Sequence, residues 1–150
     1  MIVGFTGTQR GMTLEQRITL RKILSKIFYT NTGFGLPQFR HGDCIGADSE
    51  AHDIARDLGY WIAVHPPTKS NKRAHKKGNL ICATKDYLDR NKDIVSVSNV
   101  LIAIPGEVQE MIRSGTWSTI RYAKKNLKPV VIIWPDGSYD WGTFNEELKP

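Results

Sequence analysis

Two short stretches, residues 100–104 (VLIAI) and 130–134 (VVIIW), carry no polar side chain at any position. A strand with one face in water alternates apolar and polar residues. A run without alternation has to be covered on both faces. Residues 2–5 (IVGF) have the same character, and 39–41 and 60–64 give two further short strands. Between these runs the apolar period changes to that of a helix. Leu14, Ile18, Ile23, Leu24, Ile27 and Phe28 share one face, and Ala51, Ile54, Ala55 and Leu58 share another. The spacing predicts further helices over most of 80–97 and over 116–127. Strands alternating with helices, each strand buried on both sides, fit an α/β fold with a parallel sheet between two helical layers. Right-handed crossovers make such a sheet doubly wound.

Local signals mark the ends of these elements. Thr13 and Gln16 have the spacing of a capping box at a helix start. Gly59 is placed to stop the second helix, and residues 31–38 (NTGFGLPQ) form a Gly/Pro loop. No repeat, low-complexity tract or linker divides the 150 residues, so one domain over 1–150 is expected. Residues 135–150 form a C-terminal extension, expected to wrap the surface.

In a doubly wound sheet, ligands sit beyond the C-terminal strand ends, near the point where strand order reverses. That rule gathers residues 7–12, 42–48, 65–79, 105–116 and 135–138 on one rim. In the first of these, Gly7 and Gly11 flank Thr8, Gln9 and Arg10. Glycines let a ligand approach backbone N–H groups, and the helix start near Thr13 offers unpaired donors to an anion. In the second, Gly42 and Gly46 frame Asp43, followed by Ala47 and Asp48. Asp48 fits an N-cap. Asp43 is either a solvated loop acid, a ligand for ribose hydroxyls or a general base. In the fourth, Pro105 and Gly106 end a strand, and Arg113, Ser114, Gly115 and Thr116 precede a helix with Thr116 placed to cap it. Arg113 can add a bidentate fork to a phosphate. Trp117 is either a stacking surface for a base or the first core residue of its helix. Arg90 and Asn91 lie on the helix before the fourth strand, placed either near the rim or in a surface ion pair with Asp86 or Asp93.

Charge adds one localised feature. The net charge is +6, and residues 58–85 hold six Lys and Arg with no Asp or Glu, while the remainder is balanced. The whole excess therefore lies around Lys69, Lys72, Arg73, Lys76 and Lys77. Lys72, Arg73 and Lys76 are read either as a lid over ligand phosphates or as a solvated loop. Residues 68–79 contain no aromatic for base stacking, which argues against single-stranded nucleic acid. No apolar run approaches the ~18 residues of a membrane span, and the N-terminus has no basic region before its apolar run, so a cytoplasmic protein is expected. Cys44 and Cys82 form no CxxC, and the four histidines show no HxxxH or HExxH spacing. No metal is assigned.

The stretches GFTGTQ, HGDCIGADSEAHDIARDLG, HPP, DRNKDIV, VLIAIPG and SGTWSTIRYAKKNLKPVVII resemble, in order over about residues 1–137, the SLOG superfamily. Its members include the Lonely Guy phosphoribohydrolases, molybdenum-cofactor carrier proteins and DNA-processing protein A. The resemblance implies a Rossmann-like three-layer fold, strand order 3-2-1-4-5, and a nucleotide or nucleotide-derived ligand over the rim. Relatives commonly form dimers, so a homodimer or higher homo-oligomer is expected. Lonely Guy enzymes carry a PGGxGTxxE signature with a catalytic Glu. Here eight residues separate Pro105-Gly106 from Gly115-Thr116, and Thr119 stands at the position of that Glu. Arg90 matches the arginine of that family. A hydroxyl cannot replace a carboxylate as base or stabilise a cationic centre.

The expected function is therefore binding of a phosphorylated, nucleotide-type small molecule by a sensor, carrier or sequestering protein. The alternative is an N-glycosidase or phosphoribohydrolase with a relocated acid, for which Asp43, Glu107 and Glu110 are available. Single-stranded nucleic-acid binding is a third reading.

Overall fold

The computed structural model describes residues 1–31, 33, 35–69 and 71–141. Its centre is a parallel sheet of five strands: β1 (Ile2–Gly7), β2 (Gln38–His41), β3 (Trp61–Val64), β5 (Val100–Ile104) and β6 (Val130–Ile133). They lie in the order β3-β2-β1-β5-β6, which is the expected 3-2-1-4-5. Two-residue strands extend both edges. β4 (Leu80–Ile81) pairs parallel with β3, and β7 (Tyr139–Asp140) pairs antiparallel with β6. Four helices complete the described chain: α1 (Leu14–Asn31), α2 (Ala47–Leu58), α3 (Tyr87–Val97) and α4 (Gly115–Lys125).

β5 shows why its sequence lacks alternation. Val100, Ile102 and Ile104 pack into the core shared with α1 and α2, while Leu101 and Ala103 pack with Trp117, Ile120 and Ala123 of α4. All five residues are buried. Each fully buried Ile or Leu contributes roughly 1.5–3 kcal/mol of burial free energy. A polar substitution on either face therefore opens one of the two cores.

Several boundaries differ from the sequence expectation. The helix predicted over 80–97 begins only at Tyr87. The backbone just before it hydrogen-bonds to the β3 edge, with Asn79 N–H to Ile62 O at 2.8 Å and Cys82 N–H to Val64 O at 2.9 Å. Edge pairing thus overrides helical periodicity in the first residues of that segment. Ser114, not Thr116, caps α4, accepting from Trp117 N–H at 3.3 Å. Gly46, not Asp48, occupies the N-cap position of α2. The capping box at α1 is present in both directions, Gln16 N–H to Thr13 Oγ1 and Thr13 N–H to Gln16 Oε1, each 3.0 Å. In the C-terminal extension, β7 folds back on β6 and Trp141 is buried against the α1 side of the core. The remainder of the extension, 142–150, lies outside the described residues.

Chain direction reverses beside β1. The chain runs outward through β1, β2 and β3, then crosses to β5 on the other flank of β1. Thr8, just past β1, ties this switch point together. Its N–H donates to Ile104 O at the end of β5, and its C=O accepts from Ala47 N–H at the start of α2, both at 3.0 Å.

Candidate functional site

A cleft of about 380 Å³ opens above β1 and β5 at that switch point. This volume lies within the range of small-molecule sites. Its lining includes Gly7, Thr8, Gln9, Arg10, Asp48, Arg90, Asn91, Arg113, Ser114, Gly115 and Thr116. Sequence reasoning had named all of these. It also includes Phe5, Thr6, Gly42, Cys44, Tyr87, Ile94 and Glu107.

Arg90 is the central charge. It is only 4% exposed. Its Nη1 donates to the Gly42 and His65 carbonyls, the latter at 3.1 Å, and its Nε donates to Asn91 Oδ1 at 2.7 Å. Its ring neighbour is Tyr87, at 5.1 Å from the guanidinium carbon. Among the described residues no carboxylate lies within ion-pair distance of Arg90. A surface pair with Asp86 or Asp93 is therefore not what holds it. Gly42 is required by this arrangement, because a Cβ there would meet the Arg90 guanidinium.

Asp48 sits in the first turn of α2, 5% exposed, with its Oδ2 accepting from Cys44 N–H at 3.2 Å. Burial raises its pKa to about 6, against the pull of the Arg90 charge and the Cys44 and Gly42 amides. A carboxylate in a cleft with so displaced a pKa is typical of functional sites. Burial likewise pushes the Cys44 thiol up, which keeps it protonated at neutral pH.

The mouth is cationic on the opposite side. Ser114, Gly115 and Thr116 open α4, and a Cβ built on Gly115 would meet nothing within 4 Å. Packing does not dictate that glycine; the space above it belongs to the cleft. Arg10 pairs with Glu107 at 3.2 Å, joining the turn after β1 to the loop after β5. Gly46 holds φ +86, and a Cβ on it would strike the Gln9 carbonyl, so the turns at 9 and 46 touch because Gly46 has no side chain.

The remaining predicted residues stand elsewhere. Asp43 is fully buried outside the lining, bonded to Arg73 Nε at 2.7 Å and to Lys76 N–H at 2.8 Å. It is neither solvated nor open to a substrate. Lys76 Nζ reaches Asp53 at 3.0 Å. Lys72, exposed, lends its carbonyl to Ile45 N–H at 2.9 Å. Lys72, Arg73 and Lys76 thus brace the basic loop against residues 43–45 and α2, outside the cleft lining. Gly46, Ala47, Pro105 and Gly106 shape the walls without lining them. Trp117 is a core residue, 4% exposed and 5.7 Å from the Trp134 ring. The start of α1 lies outside the cleft lining, and its capping box takes up the Thr13 and Gln16 N–H groups. Thr119 back-bonds to Gly115 O at 2.9 Å and is buried outside the lining.

Tyr87 was missed, although a signal existed. It lies three residues before Arg90 and four before Asn91, hence on their helix face.

Solved structures with this architecture include the molybdenum cofactor binding protein of Rippkaea orientalis. It is 21% identical over 89% of this chain and 76% of its own, with a TM-score of 0.67. The Moco carrier protein of Chlamydomonas reinhardtii is 22% identical over 87% of this chain and 74% of its own, at 0.63. DNA processing protein A of Helicobacter pylori, described by its single-stranded DNA binding mode, is 18% identical over 88% of this chain and 64% of its own, at 0.58. The chain shares the Rossmann-like fold of these proteins. No family model and no curated protein matches the sequence. Among the described residues no helix is long and apolar enough to cross a membrane.

Proposed function

We propose that this protein binds a phosphorylated, nucleotide-type small molecule in the cleft above β1 and β5, as a carrier, sensor or sequestering protein. The carrying observation is Arg90: a buried guanidinium on the cleft wall with no carboxylate partner among the described residues. A buried cation whose hydrogen bonds go to carbonyls and an amide, with the Asp48 carboxyl near but outside ion-pair distance, gains from an anion that completes its shell. Ser114–Thr116 supply N–H donors at the opposite wall, and Arg10 and Arg113 add charge at the mouth. Two of the fold neighbours are described as molybdenum-cofactor proteins, which fits a small-molecule role.

Calorimetric titration with ribose 5-phosphate, the simplest ligand carrying the required anion, tests this. Binding that weakens at least tenfold in Arg90→Met is expected. Equal binding of ribose and ribose 5-phosphate would defeat the reading. Mass spectrometry of small molecules released from the purified protein identifies the natural ligand.

Hydrolysis of a nucleotide N-glycosidic bond has one observation in its favour, the cleft carboxylate Asp48 with its pKa near 6. Glu110 pairs with Arg121 away from the cleft, and Glu107 is held by Arg10. Against hydrolysis stands Thr119, whose hydroxyl is spent inside its own helix. Incubation with nucleoside monophosphates is expected to release no free base. Release abolished by Asp48→Asn would replace the binding reading with the hydrolytic one.

A further inference from the structure

Asp48 and Arg90 share one wall of the cleft without forming an ion pair. Both side chains are at least nine-tenths buried, and both line the cleft. Cys44 lies between them. Its amide donates to Asp48 Oδ2 at 3.2 Å, and its sulfur meets Arg90 Nη2 at 3.8 Å. Arg90 has committed Nη1 and Nε to protein acceptors, so Nη2 is the edge left for an anion. An anion seated there stands beside the Asp48 carboxyl. The other charged and titratable groups around that carboxyl come from two elements. Asp43 and Cys44 lie in the turn before α2, and Tyr87 lies on α3 with Arg90. Asp43 is already paired with Arg73. Arg10, Glu107 and Arg113 line the same cleft, with Arg10 and Glu107 paired to each other. Among all of these, the Arg90 charge does most to keep Asp48 ionised.

We infer that the cleft takes up its anion together with one proton, which Asp48 holds against the bound oxyanion. This rests on the phosphate-binding reading and names what accompanies the phosphate. Two electrostatic changes drive it. The guest neutralises Arg90, which removes the attraction that favoured the carboxylate. It also brings negative oxygens close to that carboxylate, and two buried like charges side by side force a proton onto one of them. The proton turns repulsion into a charge-assisted bond, with the Asp48 O–H donating and a phosphate oxygen accepting. In the free protein burial sets the Asp48 pKa at about 6, so the group is ionised at pH 7.5. A phosphate monoester, with its second pKa also near 6, is then a dianion. Neither partner brings the proton, which is therefore drawn from the buffer. His41 and His65 also face Arg90, but burial above all holds their pKa values low, His65 at about 4. Neither takes up a proton at pH 7.5. One proton bound per ligand makes the affinity fall about tenfold per pH unit.

The test is calorimetry of the whole chain with ribose 5-phosphate and with ribose, at pH 7.5, in two buffers of unlike ionisation enthalpy. The difference in heat is expected to report close to one proton taken up per ribose 5-phosphate. Its Kd is expected to rise about five- to tenfold from pH 7 to pH 8. Asp48→Asn is expected to bind ribose 5-phosphate without proton uptake, with one affinity from pH 7 to pH 8, and more tightly than the wild type at pH 8. Wild-type binding of ribose 5-phosphate without proton uptake overturns this inference and leaves the phosphate reading in place. Uptake that persists in Asp48→Asn also overturns it, because another group then carries the proton. Equal binding of ribose, or no binding of ribose 5-phosphate anywhere between pH 6 and pH 8, overturns both readings.

Discussion

Asp48→Asn removes a charge that the fold holds at a cost. The Asp48 carboxyl has its pKa moved from 3.8 to about 6, chiefly by burial. Each pKa step is about 1.4 kcal/mol, so keeping the ionised form in the native protein at pH 7 costs about 3 kcal/mol. The sign follows from proton binding. Between pH 3.8 and 6 the native state holds a proton that the unfolded chain has released. The Asp48 contribution to native stability therefore declines as pH rises through that window and levels off above it. Asparagine is uncharged throughout and keeps an oxygen for the Cys44 and Gly42 amides. The variant should match the wild type below pH 4 and exceed it by about 3 kcal/mol at pH 7. In a domain of this length that corresponds to roughly 6–12 °C in Tm. Urea unfolding of both proteins from pH 4 to pH 8 measures the gap directly. A variant less stable than wild type at pH 7, or a gap of equal size at pH 4 and pH 7, would refute the reasoning.

Arg90→Met leaves the Gly42 and His65 carbonyls without their donor, which costs about 1–3 kcal/mol for each. It should lower the urea midpoint and remove most ribose 5-phosphate affinity, whereas Arg90→Lys should keep more of both. Gly115→Ala should move stability and binding in opposite directions. Alanine gains up to about 1 kcal/mol of helix propensity, while its methyl enters open space above the α4 start and weakens phosphate binding. Acid should destabilise the protein through its buried histidines. Burial lowers the pKa of His41, of His52 and of His65, the last to about 4. The unfolded chain therefore takes up protons below pH 6.5 that the native state refuses, and stability is lost as pH falls from 6.5 towards 4. In the Asp48→Asn background, free of the opposing carboxyl, a flat profile across that window would contradict this assignment.

The α/β class and the rim that carries the cleft were legible from unalternating apolar runs and from where glycines end them, whereas the strand order came from the family resemblance. The runs at 100–104 and 130–134 require cover on both faces, and that requirement leaves few architectures. Arg90 was legible from its place on the helix before the fourth strand and from the family resemblance. The two aspartates of residues 42–48 were not separable in the sequence. Each lies beside a glycine, and which one meets the cleft depends on the backbone between them. Asp43 itself sits at φ +57 and Gly46 at φ +86. Those two conformations turn Asp43 inward, to Arg73 and Lys76, and bring the start of α2 with Asp48 to the cleft. The basic loop misled for a related reason. Its charge excess is a property of composition, whereas its acid partners, Asp43 and Asp53, come from residues some twenty to thirty positions earlier. β4 was hidden because two residues are too few to set a period.

The two backbone hydrogen bonds of Thr8, its N–H donating to Ile104 O and its C=O accepting from Ala47 N–H, link three separate stretches of backbone into one frame. The cleft borders that frame, so its inner walls are positioned by the chain's own backbone bonds. A guest then has little main-chain entropy to remove on entry. Its residence is governed by how well it replaces the hydration of Arg90 and Asp48, and its arrival by diffusion rather than by a search for shape. Exchange between ligands of like charge should accordingly be quick, with selectivity expressed in how slowly the right one departs.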